Sequence, residues 1–137
     1  MTEANEQLRA AALTQGIGSY HRHVFMCTGP SCCTPETGLA AWEALKTLHK
    51  AHGLGSGPNA CYRTKVGCLR ICCYGPTLVV YPEGTWYHGM TAERMPQFVQ
   101  QHLIAGQPIR EWIFVENPLP NSDKETRRAG EGENPKQ

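Results

Sequence analysis

Between residues 23 and 116 the spacing of apolar positions changes several times, and each change marks an element. HVFM (23–26) is a short unbroken apolar run that ends at Cys27, the pattern of a buried strand. ACYRTKV (60–66) alternates apolar and polar positions, as a strand with one covered face does. TLVVYP (77–82) and TWYHG (85–89) flank the dipeptide Glu83-Gly84, which predicts two antiparallel strands joined by a tight hairpin. Helical spacing appears twice. Ala41, Trp42, Leu45 and Leu48 recur on one helical face, whereas Glu43, Lys46 and Lys50 fall elsewhere. Thr34, Pro35 and Glu36 supply a capping hydroxyl, a proline suited to the first helical position and early negative charge, and Gly53 closes the helix. Met95, Phe98, Val99 and Leu103 form a second inward face, starting near Pro96 because proline is tolerated only in a first turn; Gly106 ends it. WIFVE (112–116) adds a short strand or a contact with a second copy.

The flanks lack such patterning. Residues 1–18 contain one short apolar stretch, Leu8 to Leu13, and predict a flexible segment with an unanchored helical turn or two. Residues 117–137 hold one leucine, no aromatic residue, three prolines and two glycines, too little apolar surface to offset the entropy of ordering, so they predict a disordered tail whose run KETRR (124–128) is a solvated face. The 137 residues thus contain one α/β domain, 19–116, with a single mixed sheet of about four strands and two main helices.

Composition narrows the chemistry. Thirteen basic and twelve acidic side chains leave a net charge of +1, which gives no field for non-specific nucleic-acid binding. No run of 18 apolar residues exists to cross a membrane, and the N-terminal stretch has acidic residues where a secretory signal needs positive charge. The expectation is a cytoplasmic protein. Seven cysteines, an odd number in a reducing compartment, point to metal ligation or thiol chemistry rather than a disulfide framework. No serine–histidine–acid set, phosphate-binding glycine loop or paired carboxylates is convincingly spaced, so no bond-making catalysis is expected.

Six of the seven cysteines sit in two short stretches, CTGPSCC (27–33) and CLRICC (68–73). Cys27 and Cys32 have four residues between them, Cys32 and Cys68 thirty-five, and Cys68 and Cys72 three. Gly29, Pro30, Gly67, Gly75 and Pro76 punctuate both stretches and let backbone approach an inorganic group. These gaps admit a four-thiolate zinc site. They also admit a 2Fe-2S cluster, which slightly wider gaps on longer loops suit better. A thiol–disulfide enzyme would favour two residues between its cysteines, a spacing absent here. Adjacent side chains diverge, so only one of Cys32 and Cys33 ligates, and Cys61 and Cys73 are expected to pack as small apolar groups. His21, His23, His49, His52, His88 and His102 are expected in surface or packing roles.

The gap pattern, together with HVFMCTGPSC, TKVGCLRICCYGPTLVVYPEGTWYHGMT and QHLIAGQPI, resembles the thioredoxin-like 2Fe-2S ferredoxin family, related to the small iron-sulfur subunit of respiratory complex I, over residues 20–115. The resemblance implies a thioredoxin-like fold, one 2Fe-2S cluster per chain and ligands at Cys27, Cys32, Cys68 and Cys72. It also suggests Pro76 as a cis proline beside the site. Such a cluster has a formal charge of about −2, falling to about −3 on reduction. Arg63, Lys65 and Arg70 would favour the reduced state if they face it. The implied function is a soluble one-electron carrier that meets redox partner proteins by outer-sphere transfer. Alternatives are a zinc-binding interaction module using the same thiols, or an iron-sulfur subunit of a larger oxidoreductase. The resemblance further implies a homodimer, with Trp86, Tyr87, Trp112, Ile113 and Phe114 as interface candidates.

Overall fold

The computed structural model describes residues 2–120. Its elements run in the order α1 (Glu3–Thr14), β1 (Arg22–Cys27), α2 (Pro35–Ala51), β2 (Cys61–Val66), β3 (Leu78–Tyr81), β4 (Thr85–Tyr87), α3 (Met95–Phe98, continued by a π-helical stretch Val99–Ile104) and β5 (Ile113–Glu116). Five strands, where the sequence reading gives about four, form one mixed sheet in the order β2-β1-β3-β4-β5. WIFVE therefore supplies an edge strand. β1 and β2 run parallel, with Arg22 opposite Cys61 and Cys27 opposite Val66. The β3–β4 hairpin forms as expected, antiparallel, and β3 pairs antiparallel with β1.

Alternation along the strands sorts the two faces. Val24 and Met26 on β1, and Leu78 and Val80 on β3, are fully buried in one cluster with Ala41, Trp42 and Leu45 of α2 and with Met95, Phe98, Val99 and Leu103. Each of these large side chains contributes roughly 1.5–3 kcal/mol by leaving water. The opposite face carries His23, stacked on Phe25 with ring centroids 4.0 Å apart.

Helix α2 begins as its sequence dictates. The Thr34 hydroxyl accepts the Thr37 N–H at 3.2 Å, Pro35 takes the first turn, and His49 and Lys50 sit in the last turn, where positive charge complements the helix dipole. Leu48 is only partly buried. Helix α3 starts at Met95 with Pro96 in its first turn, and the π-helical stretch ends where the Ala105 N–H reaches back five residues to Gln100. Helix α1 differs from the one or two turns expected. It is a 12-residue helix, capped by the Thr2 hydroxyl, that buries no residue.

A polar chain ties the helical stretch after α3 to the sheet. The Ile109 N–H donates to the Tyr87 hydroxyl at 3.1 Å, that hydroxyl meets His102 Nδ1 at 2.6 Å, and His102 Nε2 faces Glu83 at 3.4 Å. Arg22 Nε donates to the same Glu83 oxygen at 2.6 Å. Residues 117–120 stay on the hairpin: the Asn117 N–H donates to the Gly84 carbonyl and the Leu119 N–H to that of Pro82. The rest of the tail read as disordered, including KETRR, lies outside the described residues. Among the described residues no helix is long and apolar enough to cross a membrane.

Candidate metal centre

Parallel pairing of β1 with β2 decides where the thiols go. Cys27 ends one strand beside Val66, which ends the other, so the 28–33 and 67–76 loops leave the sheet at the same end. β3 starts there too, and the Cys27 N–H donates to the Thr77 carbonyl at 2.9 Å.

On the first loop the Sγ atoms of Cys27 and Cys32 lie 2.8 Å apart, and both residues are at most 5% exposed. Cys33 is half-buried, its Sγ 3.8 Å from that of Cys32. Gly29 has φ +94°, and a Cβ there would sit 2.5 Å from the Cys33 carbonyl oxygen, so only glycine closes this loop without displacement. The second loop is different. Cys68 and Cys72 are exposed, and so is Cys73, which corrects the expectation that it packs. Tyr74, next along the chain, has φ +55° and is 82% exposed, so the chain runs outward here rather than under the core.

The loops interlock. The Gly75 N–H donates to the Cys32 carbonyl at 2.9 Å, and a Cβ on Gly75 would lie 2.8 Å from Cys32 Sγ. Gly67 has no such neighbour, so its Cβ would meet open space and the punctuation role read for it is not needed. Gly75–Pro76 is a cis peptide, as suggested for Pro76. A backbone amide points at sulfur: Arg70, held at φ +70°, donates to Cys68 Sγ at 3.2 Å.

Burial and then neighbouring thiols raise the cost of ionising Cys27 and Cys72. Burial, then the Cys32 thiol, pushes Cys27 up from its usual value against the amides of Gly29 and Leu69, which pull it down. Partial desolvation, then Cys68, Cys27 and Cys73, pushes Cys72 up, so the two loops feel each other's charge. A metal that takes these sulfurs as thiolates must therefore displace protons. Among the described residues no three His, Cys, Asp or Glu side chains are grouped as ligands of one ion; the sulfurs come as pairs, one from each loop.

Residues flanking the thiols sort unevenly. Arg70 lies beside Cys68 through its amide. Arg63 does not face the site. Paired with Val24, it points to the helix side, its guanidinium 5.3 Å from the Trp42 ring centroid. Lys65 is exposed. Cys61 packs in the core as expected, where burial raises its thiol to about 12. His102 is buried against Tyr87, His23 bonds Thr64 Oγ1 at 2.7 Å, and His49 bonds the Cys61 carbonyl at 2.6 Å. The sequence reading named no individual amide donor, because the left-handed backbone at Arg70 has no glycine to signal it.

No family model matches the chain. A solved thioredoxin-like [2Fe-2S] ferredoxin from Aquifex aeolicus superposes with TM-score 0.61 at 25% identity, covering 74% of this chain and 97% of that one. A 2Fe-2S ferredoxin of Aquifex aeolicus (strain VF5) is 35% identical over 104 residues, 72% of this chain and 94% of the relative. The chain belongs to the thioredoxin-like 2Fe-2S ferredoxin family. A further 2Fe-2S ferredoxin, from Clostridium pasteurianum, is 28% identical over 92 residues, 64% of this chain and 90% of its own. Membership of this ferredoxin family agrees with the donor set: soft thiols in two pairs, a backbone amide aimed at sulfur, and glycine where a side chain would fill the cradle.

Proposed function

We propose that Cys27, Cys32, Cys68 and Cys72 hold one 2Fe-2S cluster and that the protein is a one-electron carrier between redox enzymes. The observation that supports this most is the meeting of two cysteine pairs, from loops thirty-five residues apart, at one end of the sheet in a chain of this family. Bound there, a 2Fe-2S cluster accepts and releases a single electron. The protein's own part is electrostatic and steric. The amides of Gly29, Leu69 and Arg70 offset negative charge on sulfur. Burial of Cys27 and Cys32 shields one side from water, while the exposed Cys68 and Cys72 bring the other within reach of a docked partner. Transfer is outer-sphere and needs no substrate pocket.

The unit that does this is 19–116, with 1–18 and 117–137 as appendages, working in the cytoplasm. The edge strand β5, with Phe114 42% and Val115 50% exposed, is the surface on which a second copy would form the homodimer. The deciding experiment is anaerobic purification with visible absorption and a count of iron and acid-labile sulfide. About two irons and two sulfides per chain support the carrier; a colourless protein with one zinc overturns it.

A further inference from the structure

Among the described residues four buried side-chain polar atoms have no hydrogen-bond partner: Arg63 Nε, Thr77 Oγ1, Glu83 Oε1 and Thr85 Oγ1. Glu83 and Thr85 belong to the hairpin turn and its following strand, and Arg63 packs on Trp42. Thr77 is placed differently. It is 0% exposed and directly follows the cis Gly75–Pro76 peptide that ends the second thiol loop.

The sheet register fixes what Thr77 stands beside. Met26 pairs with Leu78, so the same antiparallel register continued by one step sets Cys27 opposite Thr77, and the 2.9 Å bond from the Cys27 N–H to the Thr77 carbonyl joins that pair. Residues opposite one another on antiparallel strands project to the same face, their Cβ atoms about 4.5–5.5 Å apart. Cys27 and Thr77 are therefore face neighbours. A neutral thiol is a weak acceptor, and Cys27 Sγ is already engaged with Cys32 at 2.8 Å. A thiolate is a strong one, and a hydroxyl hydrogen rotates to reach it. A buried hydroxyl left without a partner is costly, so a partner that appears only when the neighbouring sulfur ionises accounts for its retention.

We infer that the Thr77 hydroxyl donates a hydrogen bond to the Cys27 sulfur once that sulfur is a metal-bound thiolate, and so favours the reduced state of the centre. This rests on the ligand assignment proposed above. A donor to sulfur stabilises the more negative oxidation state, so its removal lowers the reduction potential. Thr77 acts here as a positioning residue through Cys27.

The test is a redox titration of the wild-type protein beside Thr77→Val and Thr77→Ser, each with iron and acid-labile sulfide counted first. Thr77→Val should keep its iron and sulfide yet shift the reduction equilibrium roughly threefold to tenfold toward the oxidised form, about 30–60 mV more negative at 59 mV per tenfold for one electron. Thr77→Ser, which keeps the hydroxyl, should titrate with the wild type. A loaded Thr77→Val protein at the wild-type potential, or valine and serine variants shifted equally, overturns the inference; if the valine variant does not load, Thr77→Ala is read in its place by the same criteria. Wild-type protein without iron and sulfide would instead remove the ligand assignment, a separate outcome visible before any titration.

Discussion

The two ends of the sheet are built on opposite terms. From the hairpin end, Arg22, Glu83, His102 and Tyr87 form a chain in which hydrogen bonds run from a guanidinium to a backbone amide. At the other, thiols crowd one another with pKa values pushed up, Arg70 and Tyr74 adopt left-handed backbone, and Cys68, Cys72 and Cys73 face solvent. That chain is continuous, although Glu83 Oε1 and Thr85 Oγ1 beside it have no hydrogen-bond partner. Under the proposed ligand assignment, the second end gains its partners when a metal group takes the sulfurs. Stability should reside at the first and function at the second, and substitutions at each should leave the other's readout alone.

The largest expected effect is at the thiol end. Replacing Cys27 or Cys72 by serine removes one thiolate of the proposed four, and the iron and sulfide content should fall severalfold; for Cys72 the thermal midpoint of the metal-free protein should change little. Metal-free Cys72→Ser in particular replaces an exposed side chain. A variant that keeps full iron and sulfide would break the assignment.

Next in size is an effect at the closed end. Tyr87→Phe deletes the hydroxyl that joins the Ile109 N–H to His102, leaving both without that partner at a buried site. The expected loss is about 1–3 kcal/mol, read by denaturant unfolding of the metal-free protein. Its absorption spectrum with the cluster should match the wild type.

Glu83 gives the same end a pH signature. Burial would raise its carboxyl, but hydrogen bonds from His102 and Arg22 outweigh that and hold it down to about 2. A depressed carboxylate contributes stability above its ordinary value of 4.5, and that contribution drains away as pH falls toward about 2. Its size is on the order of 2 kcal/mol, given a side chain still 26% exposed. Glu83→Gln should be less stable near neutrality and show a flatter decline between pH 4.5 and 2, measured on metal-free protein so that acid loss of the centre does not intervene.

The same contrast explains what the sequence revealed. Local rules placed α2, because Thr34, Pro35 and the Ala41–Trp42–Leu45 spacing act within one helix, and the hairpin at Glu83-Gly84 for the same reason. Both thiol stretches were visible by spacing. The parallel register that unites them was not, since it pairs residues 39 positions apart, Arg22 with Cys61 through Cys27 with Val66, whose side chains pack on one helix layer. Arg63 shows this limit: sequence proximity set it near the thiols, whereas strand alternation turns it to Trp42. Cys73 and Cys61 look alike as small apolar groups, yet Cys61 lies on β2 in the core and Cys73 is exposed on the second thiol loop, a difference that only the strand assignment settles. In α1 the capping signal at Thr2 outweighed the lack of an apolar face, giving a helix with nothing beneath it.

The smallest expected effect sharpens the comparison within the thiol end itself, where Cys32 and Cys33 are adjacent. Cys32 is 5% exposed, its carbonyl is held by the Gly75 N–H, and its sulfur is 2.8 Å from that of Cys27, so it is locked to both loops. Cys33 is half-buried, with its sulfur 3.8 Å from that of Cys32. Cys33→Ser should therefore keep wild-type iron, sulfide and visible absorption, while Cys32→Ser should lose most of each. If the Cys33 change alone bleaches the protein, the ligand is the less buried of the two cysteines, and shielding by the interlocked loops is not what selects it.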